Sequence, residues 1–185
     1  MRRSDIRYDY LTETIFEMHK EQFNKFDCSK ERYSDGLNQC LRNSLKRGVT
    51  TLVFFDESNE RKLIAYCAYR CSSLKFRKTQ YPAVEIVNFA VDKNYQDICF
   101  DDENQLPYSA FILQLCVDII KKLCRETIWA RYIVLQAEKR STVLNFYEKN
   151  LFTTCDANYK MLGQFNDYLM FREILRCEED DEDEK

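Results

Sequence analysis

The sequence predicts one α/β domain, of the mixed α+β kind, whose central, mostly antiparallel sheet carries helices on its faces. Three observations lead there. The chain has 185 residues, 45% hydrophobic and 32% charged, the range in which a single domain buries its own core. Residues 50–74 hold two β-rich runs separated by a polar turn. Residues 83–149 then alternate strand, helix, strand and helix patterns, the order of a parallel crossover. The domain is expected to span residues 1–176, with 177–185 as an acidic, disordered tail.

Taken in order, Thr12 to Phe26 places Ile15, Phe16, Met18, His19, Phe23 and Phe26 near helical period, with Thr12 as N-cap. A second helix is expected from Ser34, with Leu37, Cys40, Leu41 and Leu45 on one face and Gly48 as its stop. Thr51 to Phe55 and Lys62 to Leu74 read as strands of an antiparallel hairpin joined by the polar turn from Asp56 to Arg61. Pro82 opens the nearly continuous apolar run Ala83 to Val91, the pattern of a strand buried on both faces at the centre of the sheet. An acidic loop from Asp97 to Gln105 follows. Pro107 suits the first turn of a helix running to about Cys124. Tyr132 to Ala137 reads as a strand, Ser141 to Lys149 as a short capped helix, and Leu151 to Thr154 with Tyr168 to Glu173 as a terminal hairpin.

Several function classes are disfavoured. No apolar run reaches the roughly 20 residues of a membrane span, and Met1 to Asp5 does not lead into a signal-type apolar stretch, so a cytoplasmic protein is expected. The nine cysteines are odd in number and mostly sit in apolar runs, which reads as reduced core thiols. Cys67 and Cys71 are separated by about 13 Å along a strand, too far to share a metal ion. The one histidine, His19, has no serine or cysteine motif near it, and its plain reading is a partly exposed helix residue. The net charge of −3 comes from the acidic run Glu178 to Glu184; without it the domain is mildly basic.

The segments Val84-Glu85-Ile86-Val87-Asn88-Phe89-Ala90-Val91-Asp92 and Asn145-Phe146-Tyr147-Glu148-Lys149-Asn150-Leu151-Phe152, in this element order, resemble the GNAT acetyltransferases. The resemblance covers roughly Thr50 to Glu173. Its most specific piece is the second segment, similar to the family's Phe-Tyr-Glu-Lys-x-Gly-Phe pattern with Leu151 where glycine is usual. It implies the GNAT-like acyl-CoA N-acyltransferase fold and transfer of an acetyl or similar acyl group from acetyl-CoA, as co-substrate, to a primary amine, with no metal.

The resemblance also implies a site. The pantetheine arm would use backbone groups of Phe89, Ala90 and Val91 at the end of the central strand. The pyrophosphate would follow Gln96 and rest on the next helix start, at Tyr108, Ser109 and Ala110. Here the chain departs from the pattern it resembles: where a glycine-rich turn is usual, Asp97-Ile98-Cys99-Phe100-Asp101-Asp102-Glu103 has no glycine and four acids. Tyr147 matches the tyrosine that protonates the departing thiolate, against a plain reading as a packed tyrosine. Glu85 resembles the strand glutamate that serves as base in some members, against a plain reading as a salt-bridged or outward strand residue.

The second reading is a catalytically silent binding module of the same fold, acting through a protein partner. A third, nucleic-acid recognition, would want a concentrated basic surface, and Lys20, Lys75, Arg77 and Lys78 look dispersed in the sequence, so nucleic acid is not the expected partner. The acceptor, a small molecule or a protein bearing an amine, would be bound around Phe26 to Tyr33 and Tyr159 to Tyr168. Homodimer pairing through the terminal strand Tyr168 to Glu173 follows the family's habit.

Overall fold

Thr12 starts the first helix as its side chain predicts: Oγ1 accepts from the Ile15 amide at 3.2 Å. The helical run breaks at His19, giving α1 (Glu13–Met18) and α2 (Lys20–Lys25). In this computed structural model the described residues are 5–28, 48–59, 61–96, 98–101, 106–155, 159–160 and 168–174. The helix expected from Ser34, most of the expected acceptor region and the tail 177–185 lie outside them. The remaining elements are β1 (Ile6–Tyr10), β2 (Thr50–Asp56), β3 (Lys62–Phe76), β4 (Thr79–Val91), α3 (Lys93–Gln96), β5 (Cys99–Asp101), β6 (Leu106–Pro107), α4 (Tyr108–Leu123), β7 (Tyr132–Ala137), α5 (Ser141–Lys149), β8 (Thr153–Thr154), β9 (Tyr159–Lys160) and β10 (Tyr168–Glu173).

Backbone contacts group the chain into two units, one of residues 1–70 and 86–118, the other of residues 71–85 and 119–185, with β3, β4 and α4 running through both. In the first unit the strand order is β1-β2-β3-β4. β1 pairs antiparallel with β2, and β2 with β3 through a bulge at Phe54/Phe55. One face of this sheet buries Val53, Phe55, Leu63, Tyr66 and Ala90 against Leu11, Phe23 and Phe26, with Ile15 and Phe16 of α1 packed on them. Neighbouring residues on a strand point to opposite faces. Cys67 therefore turns the other way, and there it hydrogen-bonds to Cys116 of α4. Helices thus cover both faces.

In the second unit the order is β3-β4-β7-β10-β8, with β9 beside β3. β10 pairs antiparallel with β7 over all six residues, and β8 with β10 at Thr153 and Thr154. The core of one face is Leu74, Ala83, Val134 and Leu169, with Tyr132, Cys155 and Phe171 packed against it. A π-helical turn, Cys124–Ile128, ends the helix that began as α4.

The mixed sheet with flanking helices is the expected one, and four details differ from expectation. β1 lies at an edge of the first unit's strands, in the alternating Ile6, Tyr8, Tyr10 stretch for which no element is expected from the sequence. Pro107 ends a strand and the helix begins one residue later. α5 has no side-chain N-cap, since Arg140 occupies that position. The segment from Asp97 to Gln105, expected as an acidic loop, contains the strand β5 and is flanked by α3 and β6.

Candidate functional site

The first unit holds the residues expected to bind the cofactor. β4 ends at Phe89, half-buried, then Ala90 and Val91, both buried. Strand end and α3 are fixed to each other by two side chains. The Gln96 amide donates to the Val91 carbonyl at 2.7 Å and to the Cys28 carbonyl at 3.3 Å. Asp92, 1% exposed, accepts from the Asn94 and Asp27 backbone amides and from the Lys62 ammonium at 3.3 Å. A buried carboxylate needs such donors, because losing water around a charge without replacing its hydrogen bonds costs several kcal/mol.

Beyond Gln96, β5 and β6 pair as a short antiparallel hairpin in place of the glycine turn. An aromatic cluster holds its base. Phe100 stacks on Phe111 of α4 with centroids 4.0 Å apart, and Tyr108 meets Phe100 and Tyr95 edge-on at 5.3 Å each. Tyr95 in turn donates to the buried Asp56 carboxylate at 2.9 Å and accepts from Asn59 at 3.2 Å. Burial and the neighbouring Asp56 push its phenol up to about 12. Burial, with Asp56 and Asp5 nearby, also raises the Tyr108 phenol. The stacked and edge-on rings thus hold Phe100 against the first turn of α4.

The start of α4 can be tested against a phosphate. The Tyr108 amide, the first of the helix, already donates to the Ile98 carbonyl at 3.0 Å. Ser109 and Ala110 follow, and their N–H groups have no intrahelical partner by construction. Those two amides and the half-buried Ser109 hydroxyl fit an anion at a helix N-terminus; Tyr108 contributes its ring and not its amide.

The second unit holds the two residues expected to do chemistry. Glu85 is 5% exposed on β4, between Val84 and Ile86. Tyr147 is half-buried in the last turn of α5, its ring edge-on to Phe146 at 5.2 Å and to Phe152 at 5.8 Å. Its backbone carbonyl accepts from the Asn150 and Phe152 amides at 3.0 Å, closing the helix. Buried Arg172 donates to the Asn150 carbonyl at 3.2 Å and ties that end to β10. Leu151, the residue in the family's glycine position, has φ 65 and is 68% exposed. It adopts the left-handed geometry that glycine supplies without strain.

Sequence reasoning missed the hairpin and the Asp56–Tyr95 pair. The signal was present as Tyr95, Phe100, Tyr108 and Phe111, aromatics spaced around the acids. Among the described residues no His, Cys, Asp and Glu cluster could hold a metal ion, and no helix is long and apolar enough to cross a membrane.

The architecture is that of the acyl-CoA N-acyltransferases, the GNAT fold. Solved structures share it over nearly the whole chain. A bacterial toxin matches with a TM-score of 0.70 at 18% identity, covering 91% of this chain and 90% of that one. The AtaTR complex bound with acetyl-CoA matches at 0.68 and 16% identity, covering 92% and 94%. AtaT complexed with acetyl-methionyl-tRNAfMet matches at 0.66 and 14% identity, covering 91% and 95%. No protein-family model matches the sequence, and no curated protein matches it either.

Proposed function

We propose that the chain is an N-acetyltransferase that moves an acetyl group from acetyl-CoA to a primary amine. The observation that carries this is the fold likeness over more than nine-tenths of the chain to an acetyl-CoA-bound protein. The amine nitrogen attacks the thioester carbonyl, the carbon–sulfur bond breaks, and the thiolate takes a proton from the Tyr147 phenol. Glu85 takes the proton that the incoming ammonium must lose before attack, and the second nitrogen proton, released as the amide forms, restores the phenol. Phe89, Ala90 and Val91 carry the pantetheine arm on their backbone groups, Gln96 holds that strand end in place, and Ser109 and Ala110 receive the pyrophosphate. The acetylated methionyl amine in the AtaT complex supports an amine acceptor, and leaves its carrier here open between a small molecule, a protein and a charged tRNA. Two copies would pair along β10, where β8 covers only Met170 and Phe171.

Calorimetric titration with acetyl-CoA, beside coenzyme A alone, tests the proposal. Micromolar binding, followed by thiol release in an amine screen, is the expected result. Absence of binding near millimolar cofactor overturns it. The silent-module reading would then stand, supported by the hairpin in place of the glycine turn and by the Tyr108 amide already taken by Ile98.

A further inference from the structure

Three of the four cations singled out in the sequence form one exposed group at a hairpin tip, and the fourth does not join them. Lys75, Arg77 and Lys78 sit within four residues at the turn between β3 and β4, in the second unit, and all three are exposed. The β3–β9 register sets Lys160 opposite Lys75. Between Arg70 and Glu85 the sequence has no acidic residue, and among the described residues no carboxylate ion-pairs with Lys75, Arg77 or Lys78. Lys20 is elsewhere, on α2, paired with Glu17 at 3.3 Å.

The turn is also not the one that stability alone would choose. Arg77 has φ 54, a conformation that hairpins usually fill with glycine or asparagine. An arginine there costs about 1 kcal/mol.

Flat rings flank the turn. The Arg77 guanidinium lies over the Phe76 ring at 5.2 Å, and that of Arg131, ion-paired with Glu173 at 3.1 Å, lies over Tyr81 at 5.5 Å. Both rings are half-buried, so each is held by the sheet on one side. Phosphates need the cations, and unpaired bases need planar rings and guanidinium planes on which to stack; a carboxylate-rich peptide would use only the first.

We propose that the β3–β4 turn is a binding surface for single-stranded nucleic acid, with Lys75, Arg77 and Lys78 on phosphates and bases stacked on the guanidinium planes of Arg77 and Arg131 that lie over Phe76 and Tyr81. It is independent of the acyl-transfer reading. The test uses the full chain and a fluorescein-labelled 20-nucleotide oligouridylate, followed by anisotropy from 50 to 200 mM salt, beside a duplex DNA of equal length. The single strand binds, with log affinity falling against log salt at a slope of about −2, as three phosphate contacts require. K75E/R77E/K78E weakens it at least tenfold, with acetyl-CoA titration unchanged. Arg77→Gly weakens it about threefold while the melting temperature holds or rises, which loss of folding could not produce. Any of four results overturns the proposal: no binding of either nucleic acid at 50 mM salt, tighter binding of the duplex, equal binding by the triple variant, or binding only after Glu178 to Glu184 are neutralised to Gln and Asn. The last would mean that the chain's own acidic run takes the surface.

Discussion

The Gln96 side-chain amide and the Val91 carbonyl meet at 2.7 Å, so the helix that follows the central strand is bonded to the strand's last residue. A second bond from the same amide reaches the Cys28 carbonyl. Gln96→Ala removes both and leaves two part-buried carbonyls without that donor. A loss of about 1–2 kcal/mol in urea unfolding is expected, with weaker acetyl-CoA binding because the strand end is no longer held. Gln96→Glu should not rescue it, since a carboxylate cannot donate to a carbonyl.

Tyr147→Phe keeps the ring between Phe146 and Phe152 and deletes only the hydroxyl. If the phenol protonates the leaving thiolate, turnover falls by about 10²–10⁴-fold while acetyl-CoA affinity stays within twofold. Thiol-release kinetics beside calorimetry separate the two. Unchanged turnover removes Tyr147 from the chemistry.

Leu151→Gly should stabilise the protein by about 0.5–1 kcal/mol. The substitution relieves a left-handed backbone at an exposed leucine, and part of the gain is offset by the freer unfolded chain. Thermal unfolding reads the effect. A lower melting temperature would mean that the leucine side chain makes a contact worth more than the strain.

Tyr95 sets an alkaline limit. Its folded phenol titrates at about 12, above the ordinary value of 10, chiefly through burial. The stabilisation it contributes is fully present below pH 10 and is lost as pH rises from 10 through about 12, because the unfolded phenol ionises first. Tyr95→Phe should flatten the fall in urea-unfolding stability across that window. It should also lower stability at neutral pH, since Asp56 loses a donor at 2.9 Å.

His19 acts at the acid side. Partial burial first, and the Arg61 charge next, hold its folded value below the ordinary 6.5. Protonation therefore favours the unfolded chain, and stability declines as pH falls through 6.5 toward the lower folded value. His19→Gln should reduce that slope, measured by urea midpoints between pH 5 and 7.

Where hydrophobic period and turn chemistry acted locally, the fold could be read in the sequence. Tyr132–Ala137, Ser141–Lys149 and Tyr168–Glu173 were delimited to the residue, because each is short, strongly patterned and bounded by polar residues. What escaped was decided by distant partners. β5 and β6 are three and two residues long, and nothing local distinguishes them from a loop; they exist because Phe100 and Tyr108 find Phe111 and Tyr95. Likewise Gln96 was noticed for its family position, while its bond to Val91 depends on α3 folding back over the strand. Lys75, Arg77 and Lys78 are adjacent in the sequence; what only the structure adds is that they share an exposed turn away from Lys20.

The thiol pair Cys67 and Cys116 carries a practical consequence. Both side chains are wholly buried, and burial together with their mutual hydrogen bond holds Cys116 well above the usual thiol range. An alkylating reagent can reach either sulfur only when the sheet and α4 part, whereas Cys71 is exposed and reacts at once. The slow phase of thiol labelling thus counts openings of the core that holds these and the other buried thiols, Cys28 and Cys124, a chemical clock that needs no ligand, substrate or assay of activity.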